Sequence, residues 1–98
     1  MNEDNKMQKE VPAVALVLRN GLCYEIYSQT PFTGVSKSFH SNGQLENRSV
    51  IKDGKHDGPF EHYHENGQLS EENHFINNKR VGVWKYYSKT GELIKEEK

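Results

Sequence analysis

The stretch Gly58-Pro59-Phe60-Glu61-His62-Tyr63-His64-Glu65-Asn66-Gly67-Gln68-Leu69 is answered 24 residues later by Gly82-Val83-Trp84-Lys85-Tyr86-Tyr87-Ser88-Lys89-Thr90-Gly91-Glu92-Leu93. The same step taken upstream reaches Gly34, Phe39, Gly43 and Leu45. Six of the eight glycines thus fall in two columns, Gly34/Gly58/Gly82 and Gly43/Gly67/Gly91. A second punctuation point, Asp53-Gly54 and Asn77-Asn78, recurs at the same interval. Self-similarity of this kind is the signature of a repeat architecture. Glycines and Asn-Gly pairs interrupt every window long enough for three helical turns. Two turn signals per unit leave two strands of about 6–8 residues. Each unit reads as a β-hairpin, and successive hairpins as an all-β, single-layer antiparallel ladder.

The register follows from the turn. A two-residue Asn-Gly loop would set Tyr63 opposite Ser70. A three-residue loop, with Gly67 left-handed as a bulge, sets Tyr63 opposite Leu69. The second choice gives every unit an aromatic–Leu pair: Phe39–Leu45, Tyr63–Leu69 and Tyr87–Leu93. Such cross-strand pairs contribute about 0.2–1 kcal/mol each. Strict alternation then puts Val35, Phe39, Leu45, Ile51, Pro59, Tyr63, Leu69, Phe75, Val83, Tyr87 and Leu93 on one face. Phe60, His62, His64, Ile76, Trp84 and Tyr86 share the other with Ser36, Ser38, Ser70 and Glu72. Neither face is cleanly polar, which implies a sheet that curls or a partner that covers one face.

Upstream, Ala13 to Leu18 reads as one strand of a degenerate hairpin, Arg19-Asn20-Gly21 as its turn and Leu22 to Tyr27 as its return. The organisation is therefore a loosely attached or disordered segment over 1–10, a degenerate first hairpin over 11–30 and a repeat domain of about three units over 31–98. The 98 residues allow a single domain. Only 21 are Leu, Ile, Val or Phe, and mean hydropathy is −0.97, so a large core with a deep catalytic pocket is not expected. The net charge of −1 gives no nucleic-acid footprint. No window approaches the ~18–20 apolar residues of a bilayer span. The acidic N-terminus and the Pro12-containing run Val11 to Leu18 do not form a secretion signal. One cysteine, Cys23, fits a reduced cytoplasmic setting, although an exported protein with a removed signal would read alike.

Little in the chain suggests chemistry. His62 and His64 lie two apart, and His40 shares the column of His64. Equivalent strands stand ~9–10 Å apart, too far for one ion to join short side chains. Cys23 sits in an apolar strand as an inert thiol. Ser, His and Asp show no nucleophile elbow, and Glu71 and Glu72 point to opposite faces, which defeats paired acid–base work. The glycine columns are explained by turn geometry, and the lysines interleave with glutamates as a solvated surface. No metal, no cofactor and no catalysis are expected.

Recognition is the better expectation. Phe60, His62, Trp84 and Tyr86 gather on one face, and Trp and Tyr are favoured interface anchors. The strand Ala13 to Leu18, with Val14, Leu16 and Leu18, reads as an unguarded N-terminal edge suited to self-association or partner contact. Lys95, Glu96, Glu97 and Lys98 guard the C-terminal edge.

At these residues the chain resembles the bacterial variant of the MORN repeat. The motifs that carry the likeness are Gly82-Val83-Trp84-Lys85-Tyr86-Tyr87 with Thr90-Gly91-Glu92-Leu93, and the matching run Gly58 to Leu69. Thr30-Pro31-Phe32-Thr33-Gly34, leading to Phe39 and Asn42-Gly43, is similar to YwqK-type antitoxin proteins. The likeness covers residues 31–98 well and 13–30 weakly. Ser36 departs from it where Phe60 and Trp84 stand, as does Asn78 in place of the glycine at Gly54. The resemblance implies a non-catalytic protein-binding module of MORN-type hairpins whose partner could be a toxin. A lipid-associated membrane scaffold and a self-assembling structural repeat are the alternatives. Relatives are sometimes named as lipid kinases, but no phosphate loop or catalytic-loop motif is present here.

Overall fold

The computed structural model describes residues 9–98. Among these residues nine strands form two sheets: β1 (Glu10–Pro12), β2 (Leu16–Arg19), β3 (Leu22–Glu25), β4 (Gly34–Phe39), β5 (Leu45–Lys52), β6 (Lys55–Tyr63), β7 (Leu69–Ile76), β8 (Lys79–Tyr87) and β9 (Leu93–Glu97). The main sheet runs β1-β4-β5-β6-β7-β8-β9, and β2-β3 stand apart as a hairpin. From β4 onward every pairing is antiparallel between sequence neighbours. The only helical element among the described residues is a single 3-10 turn over Ala13–Ala15.

The expected register holds in all three units: Phe39 faces Leu45, Tyr63 faces Leu69 and Tyr87 faces Leu93. The His64 carbonyl accepts from Gly67 N–H at 2.9 Å, closing a turn, and His64 N–H donates to the Gln68 carbonyl at 2.8 Å. Gly43, Gly67 and Gly91 hold φ of 90°, 90° and 93°, the left-handed conformation that such a bulged loop requires. The tight turns at Asp53-Gly54 and Asn77-Asn78 have positive φ at both residues, as two-residue hairpins favour.

The turn explanation fails for the other glycine column. Gly34, Gly58 and Gly82 lie inside β4, β6 and β8. Between the pairs Ile51–His56 and Ser49–Phe60, β6 spends three residues against one on β5. The pairs His74–Val81 and Glu72–Lys85 show the same mismatch between β7 and β8. Gly58 and Gly82 thus sit in bulges, where a strand bends. A methyl on Gly58 would stand 3.0 Å from Val50 Cβ.

Bulges also correct the expected faces. The register shifts between Ser38 and Phe39 and between His62 and Tyr63. Residues past the shift change sides relative to strict alternation. Ile51 therefore pairs with Gly34 and His56, and Phe75 with Gly58 and Arg80, on the face of Phe60 and away from the Leu column.

The N-terminal region differs most from expectation. Ala13 to Leu18 is not one strand: Pro12 leads into the 3-10 turn, and only Leu16–Arg19 pairs with Leu22–Glu25. The edge of the main sheet is β1, which lies parallel to β4 with Glu10 opposite Val35 and Pro12 opposite Lys37. Of the segment expected to be loose over 1–10, residues 1–8 lie outside the described residues. Lys9 and Glu10 are ordered, and the Lys9 carbonyl accepts from Val35 N–H at 2.7 Å.

Val11, Phe32 and Ile51 form the buried cluster, with Ala15, Leu16 and Cys23 packed against it. Three backbone bonds of 2.8 Å tie the hairpin down: Phe32 N–H to Cys23, Cys23 N–H to Gly54 and Gly54 N–H to Phe32. The chain's own N-terminal hairpin thus covers the beginning of the aromatic face.

Candidate recognition face

Pairing across the strands assembles this face in rows. Ser49, Phe60 and Asn73 stand side by side on β5, β6 and β7. A second row runs Asn47, His62, Glu71, Tyr86 and Lys95. A third sets Ile51 beside His56 and Phe75 beside Arg80. The face therefore grades from buried hydroxyls at Ser36 and Ser49 to an aromatic cluster over β6–β8.

The aromatic cluster is continuous. Phe75 meets Phe60 edge-on at a centroid distance of 6.3 Å, Trp84 at 5.7 Å and tilted His56 at 5.5 Å. Edge-to-face pairs of this kind contribute about 0.5–1.5 kcal/mol beyond area burial. The Arg80 guanidinium lies 3.4 Å over the Trp84 ring and also donates to Glu97 at 3.2 Å. Glu97 accepts from the Tyr86 hydroxyl at 3.0 Å and pairs with Lys95 at 3.0 Å. Bonds from Lys95, Tyr86 and Arg80 hold its carboxyl below the ordinary glutamate range. Partial burial and the bond to Glu97 push the Tyr86 phenol up. Two buried polar atoms here lack a partner within the chain, Trp84 Nε1 and Asn73 Oδ1.

Of the residues expected to bind a partner, Phe60, His62, Trp84 and Tyr86 do share this face. His62 is committed within it: its Nδ1 hydrogen-bonds Asn47 Oδ1, and Asn47 donates onward to Ser38 Oγ at 3.1 Å. Leu16 joins Phe60 in lining a cleft of about 230 Å³ between the N-terminal hairpin and the sheet. Val14 and Leu18 point to solvent, 85% and 68% exposed. Sequence reasoning missed Phe75, Asn73 and Arg80. Phe75 changes face because Ser70 is an extra residue beside the turn, between the pairs Tyr63–Leu69 and His62–Glu71, and no glycine in β7 marks it.

His40 and His64 do not approach a shared ion. Each bonds instead to a backbone carbonyl of the next hairpin, Tyr63 at 2.7 Å and Tyr87 at 2.9 Å. Among the described residues no group of three His, Cys, Asp or Glu side chains is placed to hold a metal. Burial raises the Cys23 thiol above its ordinary value. No helix of the described residues is long and apolar enough to cross a membrane.

The MORN repeat variant family matches three successive stretches, residues 32–53, 57–77 and 80–98. The chain belongs to the MORN repeat variant family. The three matched MORN stretches coincide with the hairpins β4–β5, β6–β7 and β8–β9. The β2–β3 hairpin lies outside the MORN matches and packs over the first repeat. No curated protein and no solved structure matches the chain.

Proposed function

We propose that this chain is a non-catalytic protein-recognition module whose binding surface is the aromatic face of its MORN hairpins. The observation that carries the reading is the cluster Phe60–Phe75–Trp84 with Arg80 stacked on the indole. Half-exposed aromatic and arginine side chains are the residue types that anchor protein interfaces. The cleft is lined by Ser36, Ser38, Ser49, Cys23 and His56 beside Leu16 and Phe60, and among the described residues no hydrogen bond there joins a serine or the cysteine to the imidazole, which supports binding over catalysis. Antitoxin-like neutralisation, in which the bound partner is held inactive, is the specific form suggested by the likeness of residues 30–43 to antitoxin-labelled proteins.

The reading is tested by affinity capture from lysate with the parent chain and a Phe60→Ser/Trp84→Ser variant of unchanged circular dichroism. A protein retained by the parent and lost by the variant is expected. Equal retention by both places binding elsewhere. Sedimentation of the chain with anionic vesicles, with no protein captured, would favour the lipid scaffold instead.

A further inference from the structure

The face opposite the aromatic cluster carries charges in a pattern that the repeat imposes at every seam. Between β5 and β6, Arg48 stands opposite Glu61; between β7 and β8, Glu72 stands opposite Lys85. Each junction of one hairpin with the next thus sets opposite charges face to face. Cross-strand pairs of opposite charge favour pairing, and like charges oppose it.

On the same face the aromatic–Leu row runs Phe39, Leu45, Tyr63, Leu69, Tyr87 and Leu93. The four inner members are half-buried. Its two ends are exposed, Phe39 by 56% and Leu93 by 50%. Among the described residues no strand pairs with the outer edge of β9.

The register of the internal seams, carried 24 residues further, gives the surface that would continue the ladder. Glu96 would face the column occupied by Glu61, Lys85 and, in the first repeat, Lys37. Leu93 would adjoin the column of Phe39. A second copy offers both: its Lys37 opposite Glu96 repeats the opposite-charge rule, and its Phe39 continues the row. Direction agrees as well, since β4 runs antiparallel to β9 through five successive antiparallel steps.

That edge of β4 is occupied by β1. Glu10 donates nothing there but accepts from Lys37 Nζ at 2.9 Å, which supplies the carboxylate that Glu96 of a second copy would bring. The cover is slight. It is three residues long and parallel, the less stable pairing, includes Pro12 without an N–H, and stops at Lys37. Burial of Val11 against Phe32 and Ile51 holds it closed.

We propose that β1 is a displaceable plug on the first edge of the ladder, and that β9 of a second copy takes its place to join chains head to tail. The occupant is a second copy of this chain, selected by Glu96 against Lys37 and by Leu93 against Phe39. The contact is heterologous, so it propagates instead of closing at a dimer. It uses the sheet edges and not the aromatic face, and stands independently of the partner-binding reading.

The test is sedimentation equilibrium of the full chain over a concentration series, with circular dichroism to confirm folding. Glu10→Lys, which repels Lys37, and Val11→Ser, which loosens the plug without touching that charge, should each raise the average mass above double the 11.3 kDa chain. The rise should continue with concentration. Adding Glu96→Lys to either variant should return the mass to one chain, and in the Val11→Ser background, where Glu10 is kept and would repel a carboxylate at position 37, Glu96→Lys with Lys37→Glu together should restore assembly. Plug variants that stay at one chain throughout would overturn the proposal. So would a closed dimer, or an assembly unchanged by Glu96→Lys.

Discussion

The Nε2 atom of His64 lies 2.9 Å from the carbonyl oxygen of Tyr87, joining the turn of the second MORN hairpin to the last residue of β8. His40 makes the same bond to Tyr63 one repeat earlier. Beside each, an asparagine reaches the next turn: Asn42 donates to Glu65 and Asn66 to Lys89, both at 2.9 Å. The row stops at Ser88, whose hydroxyl accepts from the Glu92 N–H of its own turn at 3.1 Å. Repeat follows repeat through a clamp of one imidazole and one amide.

His64→Ala should therefore lower stability by about 0.5–1.5 kcal/mol, the usual net worth of one hydrogen bond. Asn66→Ala should cost a similar amount. Because both side chains act on one turn, the double variant should depart from the sum of the two. Urea melts of the three variants measure this.

Gly67→Ala should cost about 1 kcal/mol, since φ of 90° disfavours any side chain while space beside it is nearly open. Gly54→Ala should cost distinctly more. There φ is 83°, and the added methyl would press on Leu22 Cβ at 3.0 Å and Pro31 Cβ at 3.1 Å. Thermal melts should rank Gly54→Ala below Gly67→Ala; the reverse order would mean that the hairpin does not dock on the first repeat.

Phe32→Ala should cost about 3–5 kcal/mol, the range for emptying a buried phenylalanine site. Phe32 is 4% exposed and sits at the node of the three bonds that fasten the β2–β3 hairpin. Hydrogen exchange should show protection lost first over residues 16–32 and retained over β6–β8.

Burial pushes the His56 imidazole below its ordinary value. The folded chain therefore holds fewer protons there than the unfolded chain once pH falls to about 6.5, and stability is lost below that point until the folded group also protonates. His56→Phe should flatten the difference in melting temperature between pH 7.5 and pH 5.5. An undiminished difference would place its origin in another group.

The ladder and its register were legible because spacing is a property of the sequence. Glycine at the fixed offset of Gly67 dictates the bulged turn, and the turn dictates that Tyr63 faces Leu69. The faces were half legible. Phe60, Trp84 and Tyr86 were placed together correctly by alternation. Ile51 and Phe75 were not, since Glu46 and Ser70 are extra residues beside the turns, and alternation breaks beyond them. The N-terminal region was least legible. Three residues of parallel pairing at Glu10–Pro12 and the docking of Phe32 depend on contacts outside the repeat, which no periodicity encodes. Arg80 and Trp84 share a side of β8 by alternation, four residues apart, but the bulge at Gly82 between them, which the sequence reading takes for a turn, sets how the two side chains meet.

Site-specific photo-crosslinking tests the recognition face most directly. A benzoylphenylalanine is placed at Phe60 or Trp84 on the aromatic face, and at Glu61 or Lys85 on the opposite one, with each chain irradiated in lysate. The expected result is a heavier adduct containing a second protein species from positions 60 and 84, and none from 61 and 85. An adduct from 61 and 85 alone, or the same adducts from all four, would contradict the assignment of binding to this face.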